Sequence, residues 1–316
     1  MPLPPRGRIF DSITDTVGGT PLLRMSRIAA DAGISAELLG KLEFFNPIGS
    51  LKDRIAVRMI DQLEASGQLR PGGTVIEPSS GNTGIGLAFV CAARGYRLVV
   101  TMPESNSVER RRMVAILGAE LVLTDAEDGM PGAIDRANEL LREIPDAVMP
   151  HQFENPSNPD AHEESTGQEI LVDTGGALDV LVAGIGTGGS ITGAGRLLKR
   201  HNPALQIVAV EPEDSPVLSG GEPGPHSIQG LGPGFNPDVL DRDLLDRVVT
   251  IGNATSFETA RKLAALEGVP AGISSGAAVA AALEIAQEPE MQGKRMVIIL
   301  PSFAERYLST PLFEGF

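Results

Sequence analysis

Residues 180–193 read Val-Leu-Val-Ala-Gly-Ile-Gly-Thr-Gly-Gly-Ser-Ile-Thr-Gly, and this stretch decides the fold. Val180 to Ala183 form a short apolar run that predicts a buried strand. The pattern from Gly189 to Lys199 predicts an amphipathic helix, and Gln206 to Val210 predict the next strand. A strand, a crossover helix and a second strand in this order indicate a parallel sheet.

The same alternation continues along the rest of the chain and predicts an α/β protein with parallel sheets covered on both faces. Other predicted strands are Gly73 to Ile76, Arg97 to Thr101, Glu120 to Thr124, Val248 to Ile251 and Met296 to Leu300. Other predicted helices are Lys52 to Glu64, Val108 to Leu117, Gly132 to Arg142, Ser256 to Leu266 and Gly276 to Ile285.

Length and composition narrow the possible functions. A chain of 316 residues suggests two domains at about 100–200 residues each. The net charge of -15 and the absence of Trp argue against nucleic acid and anionic membranes as partners. The single cysteine, Cys91, lies in an apolar stretch and indicates a small buried side chain. With no long apolar run, these features favour a cytoplasmic protein.

The segment from Asn46 to Arg54 offers a candidate nucleophile. Ser50 is placed to cap the following helix, so Lys52 falls in its first turn. The positive end of the helix dipole lowers the pKa of an ammonium there, which suits an amine that forms a Schiff base. The alternative interpretation is a surface lysine paired with Asp53.

Two loops offer candidate anion sites. Pro78 to Gly84 follows a strand and opens an apolar helix, so its small polar side chains and free N–H groups suit a carboxylate. A polar turn with a helix cap explains this loop equally well. The glycines from Gly184 to Gly189 favour phosphate binding more strongly, because backbone N–H groups can close on the ligand there.

A nicotinamide-dependent dehydrogenase is the rival hypothesis. Gly184, Gly186 and Gly189 spell G-x-G-x-x-G, and Glu211 ends the next strand where a ribose-binding acid belongs. The four histidines lack the spacing of a helical zinc site, and Cys91 has no second cysteine, so we expect no metal.

The ordered set of motifs resembles the cysteine synthase (O-acetylserine sulfhydrylase) family of fold type II pyridoxal-phosphate enzymes. Besides the three segments above, it includes Gly18 to Leu22, Gln152-Phe153, Ile228-Gln229-Gly230, Gly272 to Gly276 and Ser302 with Glu305-Arg306-Tyr307. The resemblance implies two doubly wound three-layer α/β/α domains with the active site in the cleft between them. It divides the chain into residues 46–154, a smaller mobile domain, and residues 1–45 with 155–316.

The resemblance also implies residue roles. Lys52 is expected to carry pyridoxal 5'-phosphate (PLP) as a Schiff base. The remaining cofactor contacts are expected from Asn82 at the phenolic oxygen, Ser302 at the ring nitrogen, and the phosphate cradle Gly186, Thr187, Gly188, Gly189 and Ser190. The expected substrate-binding residues are Ser79, Ser80, Gly81, Thr83, Gln152 and Gly230.

The implied reaction is β-replacement on O-acetylserine by sulfide through an α-aminoacrylate, giving cysteine and acetate. Close alternatives are a cystathionine β-synthase-like enzyme and one that uses O-phosphoserine. The expected partners are a second copy of the chain and the C-terminal peptide of serine acetyltransferase. A further alternative is a protein whose main role is to bind this peptide and which keeps the pocket at a reduced catalytic rate. Phe303-Ala304 departs from the usual Ser-Gly of the family and is expected to reshape the pocket edge.

Overall fold

Two β-sheets organise the chain in this computed structural model, which describes residues 7–316. Residues 1–6, the start of the predicted larger domain (1–45 with 155–316), lie outside the described part. The nine strands found in residues 7–316 are β1 (Leu22–Arg24), β2 (Glu37–Leu42), β3 (Thr74–Pro78), β4 (Arg97–Pro103), β5 (Glu120–Thr124), β6 (Val180–Gly184), β7 (Gln206–Pro212), β8 (Arg247–Ile251) and β9 (Arg295–Leu300).

The larger sheet has the order β1-β2-β9-β6-β7-β8, and the smaller one has the order β3-β4-β5. All neighbours run parallel except β1 and β2, which pair antiparallel at one edge. Parallel neighbours require crossovers, and helices provide them.

Ten α-helices are found in residues 7–316. They are α1 (Ser26–Asp31), α2 (Lys52–Ala65), α3 (Asn82–Arg94), α4 (Val108–Ile116), α5 (Gly129–Glu143), α6 (Ser157–Ala161), α7 (Gln168–Thr174), α8 (Gly189–His201), α9 (Asn253–Glu267) and α10 (Ile273–Ile285). A π-helix, His162–Gly167, joins α6 to α7. The predicted α/β class with mostly parallel sheets is confirmed.

Both faces of the larger sheet are buried, which accounts for the continuous apolar runs in its strands. One face packs against α10, whose alanines are buried, and the other packs against α8. Gly276 brings α10 unusually close to α9, because a Cβ there would stand 2.0 Å from the Ser256 carbonyl oxygen. The smaller sheet is covered by α2 and α3 on one side and by α5 on the other.

The sequence patterns missed β1, β2, α1, α6, α7 and the π-helix. β1 has only three residues, and β2 contains the buried Lys41 within its run, so neither shows a clear period. Pro159 lies inside α6 and obscures its helical pattern. Within residues 7–316, no helix is long and apolar enough to cross a membrane.

Candidate active site

Lys52 and the two loops that are predicted to bind anions meet at one cavity of about 490 Å³. We call residues 79–83 the serine loop and residues 184–189 the glycine loop. The predicted site residues that line the cavity are Lys52, Ser79, Ser80, Gly81, Asn82, Thr83, Gln152, Gly186, Thr187, Gly188, Ser190 and Gly230. Gly189 and Ser302 lie behind this lining. The predicted residues that line the cavity are therefore up to 178 positions apart, as positions 52 and 230 show.

Lys52 begins α2, and its side chain opens onto the cavity. Burial lowers the pKa of its ammonium from 10.5 to about 8, because a low-dielectric environment disfavours the charged form. The alternative interpretation, an ion pair with Asp53, is wrong. Asp53 instead accepts hydrogen bonds from the Ile48 N–H and the Ser50 hydroxyl. Lys52 is left as an amine that loses its proton easily.

The serine loop lies at the end of β3 and the start of α3. Ser79 Oγ accepts hydrogen bonds from the N–H groups of Gly84 at 2.9 Å and Gly81 at 3.3 Å, which closes the loop on itself. Thr83 donates to Gln152 Oε1 at 2.6 Å. Neutral hydroxyl and amide groups at a helix N-terminus suit a carboxylate.

The glycine loop lies between β6 and α8, and two of its positions exclude any side chain. A Cβ on Gly186 would stand 2.4 Å from the Gly230 carbonyl oxygen, and one on Gly189 would stand 1.9 Å from Asn158 Oδ1. Gly188 has φ +81°, a conformation that favours glycine. The backbone at the N-terminus of α8 is thus exposed to the cavity, as a phosphate cradle requires.

Asn158 connects the two loops, and the sequence analysis gave it no role. Its fully buried amide Nδ2 donates to the Gln152 carbonyl oxygen at 2.8 Å and to Thr187 Oγ1 at 2.9 Å. Gln152 in turn contacts Thr83, and Thr187 belongs to the glycine loop. The only sequence signal was an asparagine in a Pro-rich segment, which reads as a turn residue.

Ser302 is fully buried, and its hydroxyl shares a 2.8 Å hydrogen bond with the hydroxyl of Tyr307. Tyr307, not Ser302, lines the cavity. Burial alone would raise the pKa of Tyr307, but Arg110 and the bond with Ser302 lower it. The end of the site that is expected to face the cofactor ring is therefore built from hydroxyl groups. Tyr307 is a second residue that had no role predicted from the sequence.

Phe303, the departure from the usual motif, does not line the cavity. Its ring packs against the ring of Phe44, with centroids 5.4 Å apart. The expectation that it reshapes the pocket edge is therefore not met within the described lining.

The comparisons agree with this geometry. A model of the family described as pyridoxal-phosphate dependent enzyme matches residues 13–302. The chain belongs to this family. A curated cysteine synthase from Staphylococcus aureus is 52% identical over 305 residues, which cover 96% of this chain and 97% of that protein.

Solved structures carry the same fold. A cysteine synthase of Entamoeba histolytica superposes with a TM-score of 0.96 at 42% identity, covering 100% of this chain and 94% of the other. An O-ureido-L-serine synthase superposes with a TM-score of 0.93 at 46% identity, covering 98% and 96%. The family identifies PLP as the cofactor, and the amine of Lys52 with the exposed backbone of the glycine loop fits it.

Family membership overturns the dehydrogenase hypothesis, and Glu211 supplies the physical reason. This carboxylate is buried and accepts hydrogen bonds from the N–H groups of Leu218 at 2.8 Å and Ser219 at 2.9 Å. It is committed to the following loop and is not available to a ribose. G-x-G-x-x-G alone reports a close backbone approach to an anion, and a nucleotide is only one such ligand.

The lowered pKa of Lys52 predicts how PLP attaches to the apo-protein. Only the neutral amine attacks an aldehyde, so the attachment rate should rise about tenfold per pH unit up to pH ~8 and then level off. Stopped-flow measurement of the visible PLP band tests this, with Lys52→Met as the variant that fails to attach. An inflection near the ordinary lysine pKa of 10.5 would contradict the desolvation argument.

Asn158→Ala should weaken binding on both sides of the site. Each lost buried hydrogen bond costs about 1–3 kcal/mol, so we expect the Kd for PLP and the KM for the amino-acid substrate each to rise about tenfold. Asn202→Ala is the matched control. It removes the hydrogen bond that the Asn202 side-chain amide donates to the Leu178 carbonyl oxygen, at the far end of α8. A change in only one constant would show that Asn158 does not link the loops.

Proposed function

We propose that this chain is a cysteine synthase that converts O-acetyl-L-serine and sulfide into L-cysteine and acetate. One observation carries the proposal. A buried amine of lowered pKa, a carboxylate-binding loop and a phosphate-binding loop share one cavity in a chain 52% identical to a cysteine synthase.

The chain's own groups divide the work of the reaction. PLP, when bound, supplies an electron-withdrawing ring that stabilises negative charge at the substrate α-carbon. We assign the cofactor phosphate to Gly186, Thr187, Gly188, Gly189 and Ser190, its phenolic oxygen to Asn82 and its ring nitrogen to Ser302. We assign the substrate carboxylate to Ser79, Ser80, Gly81, Thr83 and Gln152, with Gly230 at the cavity wall.

Lys52 is the general base that removes the α-proton from the substrate. A pKa of about 8 leaves an appreciable neutral fraction near neutral pH, so this step does not need strongly alkaline conditions. The C–O bond at the β-carbon breaks, and acetate leaves with the electron pair. Sulfide then forms the C–S bond at the same carbon, and Lys52 returns the proton to the α-carbon.

The domain division supports a closing motion. We propose that residues 46–154 form a smaller mobile domain and that residues 1–45 with 155–316 form the larger one. The serine loop belongs to the former and the glycine loop to the latter, so substrate carboxylate binding would draw the two together and exclude water.

Rival substrates differ in what the cavity must accommodate. O-phosphoserine needs an additional cation for its leaving group. Arg110 lines the cavity, but it is 2% exposed, donates to the Ser80 carbonyl oxygen at 3.0 Å and lies over the Tyr307 ring. Its Nε and Nη2 are buried without a hydrogen-bond partner in residues 7–316, so this cation alone does not decide between the two substrates, and the preference for O-acetylserine rests on the 42% identity to an O-acetylserine sulfhydrylase structure. The cystathionine β-synthase-like alternative predicts turnover of serine with homocysteine, so measuring that turnover tests it.

The decisive experiment follows cysteine formation by mass spectrometry with the PLP-loaded enzyme. O-acetylserine with sulfide should give cysteine, and turnover with O-phosphoserine or with serine plus homocysteine should be at least about tenfold slower, a difference of ~1.4 kcal/mol. Lys52→Ala should fold but lose turnover by more than about a thousandfold, whereas exposed Lys262→Ala should be unaffected. Near-normal synthesis by Lys52→Ala would refute the mechanism.

We propose two macromolecular partners: a second copy of this chain and the C-terminal peptide of serine acetyltransferase. Ile13 and Phe45, large apolar side chains that are more than half exposed, support self-association. A peptide carboxylate suits the serine loop as a substrate carboxylate does. We therefore expect a dimer mass by light scattering and peptide binding that O-acetylserine displaces. A monomer, or binding without competition, would contradict the respective proposal.

A further inference from the structure

A short 3₁₀ turn near the C-terminus, Ala304–Tyr307, approaches the serine loop from behind. Arg306 in this turn is 8% exposed, and its Nη1 donates to Asn82 Oδ1 at 2.6 Å. Asn82 lines the cavity and begins α3, so this bond joins two segments 224 residues apart. Arg306 was not assigned a role from the sequence.

The chemistry of a guanidinium fixes which way the Asn82 amide points. An amide carries a carbonyl oxygen that accepts and an NH₂ group that donates, and the two ends have nearly the same shape. A guanidinium has only donors, so the end that meets Arg306 must be the oxygen. The NH₂ end of Asn82 has no hydrogen-bond partner in residues 7–316 and remains for a ligand in the cavity.

We propose that Arg306 is a positioning residue that fixes the Asn82 amide so that its N–H donors face the phenolic oxygen of PLP. The inference rests on the cofactor assignment made in the proposed function. An anionic oxygen needs donors, and an amide free to turn would present its own oxygen part of the time. Arg306 would thus act on the cofactor through Asn82 without touching it.

The surroundings hold Arg306 in place. Gly49 has φ +77°, and a Cβ there would stand only 3.3 Å from Arg306 Nη2, so the guanidinium lies against the bare backbone of this loop. Asp53 lies near enough to attract this guanidinium electrostatically, whereas Arg110 repels it. The guanidinium is therefore confined on the side away from Asn82, which favours one orientation of the amide.

Asn82→Asp is the first test, because it keeps the oxygen that Arg306 binds and replaces only the donor end. The apo-protein should melt at the same or a higher temperature, since Arg306 now faces a carboxylate. The Kd for PLP, measured by dialysis and visible absorbance, should rise at least about tenfold, because a donor to the cofactor oxygen becomes an acceptor. Unchanged PLP affinity would overturn the proposal.

A double-mutant cycle tests the action through Asn82. Arg306→Gln, whose amide can donate or accept, should weaken PLP binding about tenfold in the wild-type background. In the Asn82→Ala background the same substitution should change the Kd by less than about twofold, because the two effects are coupled and a twofold change lies within the scatter seen for independent sites. Arg306→Lys, which still only donates, should restore most of the affinity. Arg97→Gln, an exposed arginine paired with Glu120, is the matched control.

The outcomes separate this inference from the proposed function. Equal losses from Arg306→Gln in both backgrounds would show a purely structural role and overturn the inference, whatever the enzyme turns over. A wild-type protein that binds PLP and shows the coupling but makes no cysteine would overturn the function alone. If Arg306→Gln does not fold, the Asn82→Asp result decides, because that variant retains the guanidinium contact.

Discussion

A network of five charged side chains holds α2, the helix that begins with Lys52, in place. Arg54, two residues beyond Lys52, bonds Glu43 through Nε at 2.7 Å and Glu169 through Nη1 at 2.7 Å, and the ammonium of Lys41 lies 2.8 Å from Glu169. Burial would raise the pKa of Glu169, but its bonds with Arg54 lower it to about 2. Two cations meet three carboxylates, because Asp173 also lies 3.7 Å from Lys41 Nζ. Removing Arg54 would leave the fully buried Glu43 as an uncompensated charge in the interior. Because β2, α2 and α7 each contribute a member, the start of α2 has one position relative to the larger sheet, and so does Lys52.

This network shows where reasoning from the sequence stops. The βα units were predictable, because each strand and helix shows its period within about ten residues, and most predicted bounds fall within a few positions of the observed ones. The order of glycine and serine motifs also led to the cavity. Lys41, Glu43 and Glu169 gave no such signal, since a buried charge looks like a surface charge until its partner, here up to 128 residues away, is known. The roles of Asn158 and Arg306 were not predicted for the same reason.

The close contacts of α8 explain how the glycine loop is held in position at the cavity. A Cβ on Gly193 would stand 2.0 Å from the Pro159 carbonyl oxygen, so α8 packs directly on the backbone of α6 and the π-helix. The same packing places Asn158 against Gly189. Glycines in α8 therefore serve two purposes: those in the loop expose N–H groups to an anion, and those one turn later allow the neighbouring segment to approach and hold the loop.

The local electrostatics of the site oppose those of the whole molecule. The chain has a net charge of -15, which repels anions at long range, yet the substrate carboxylate, the cofactor phosphate and sulfide are all anionic near neutral pH. The cavity resolves this conflict with Lys52, Arg110 and Arg306 at or behind its wall and with two helix N-termini, those of α3 and α8, directed at it. No carboxylate lines the described cavity.

Ser302 and Tyr307, at the expected ring-nitrogen end, are hydroxyl groups without a formal charge. If the ring nitrogen of PLP lies there as proposed, a neutral hydroxyl would leave the cofactor ring a weaker electron sink than an aspartate would. A weaker sink favours prompt loss of a good β-leaving group over a long-lived carbanion, so the same absence of negative charge that admits anions also favours β-replacement over racemisation or transamination.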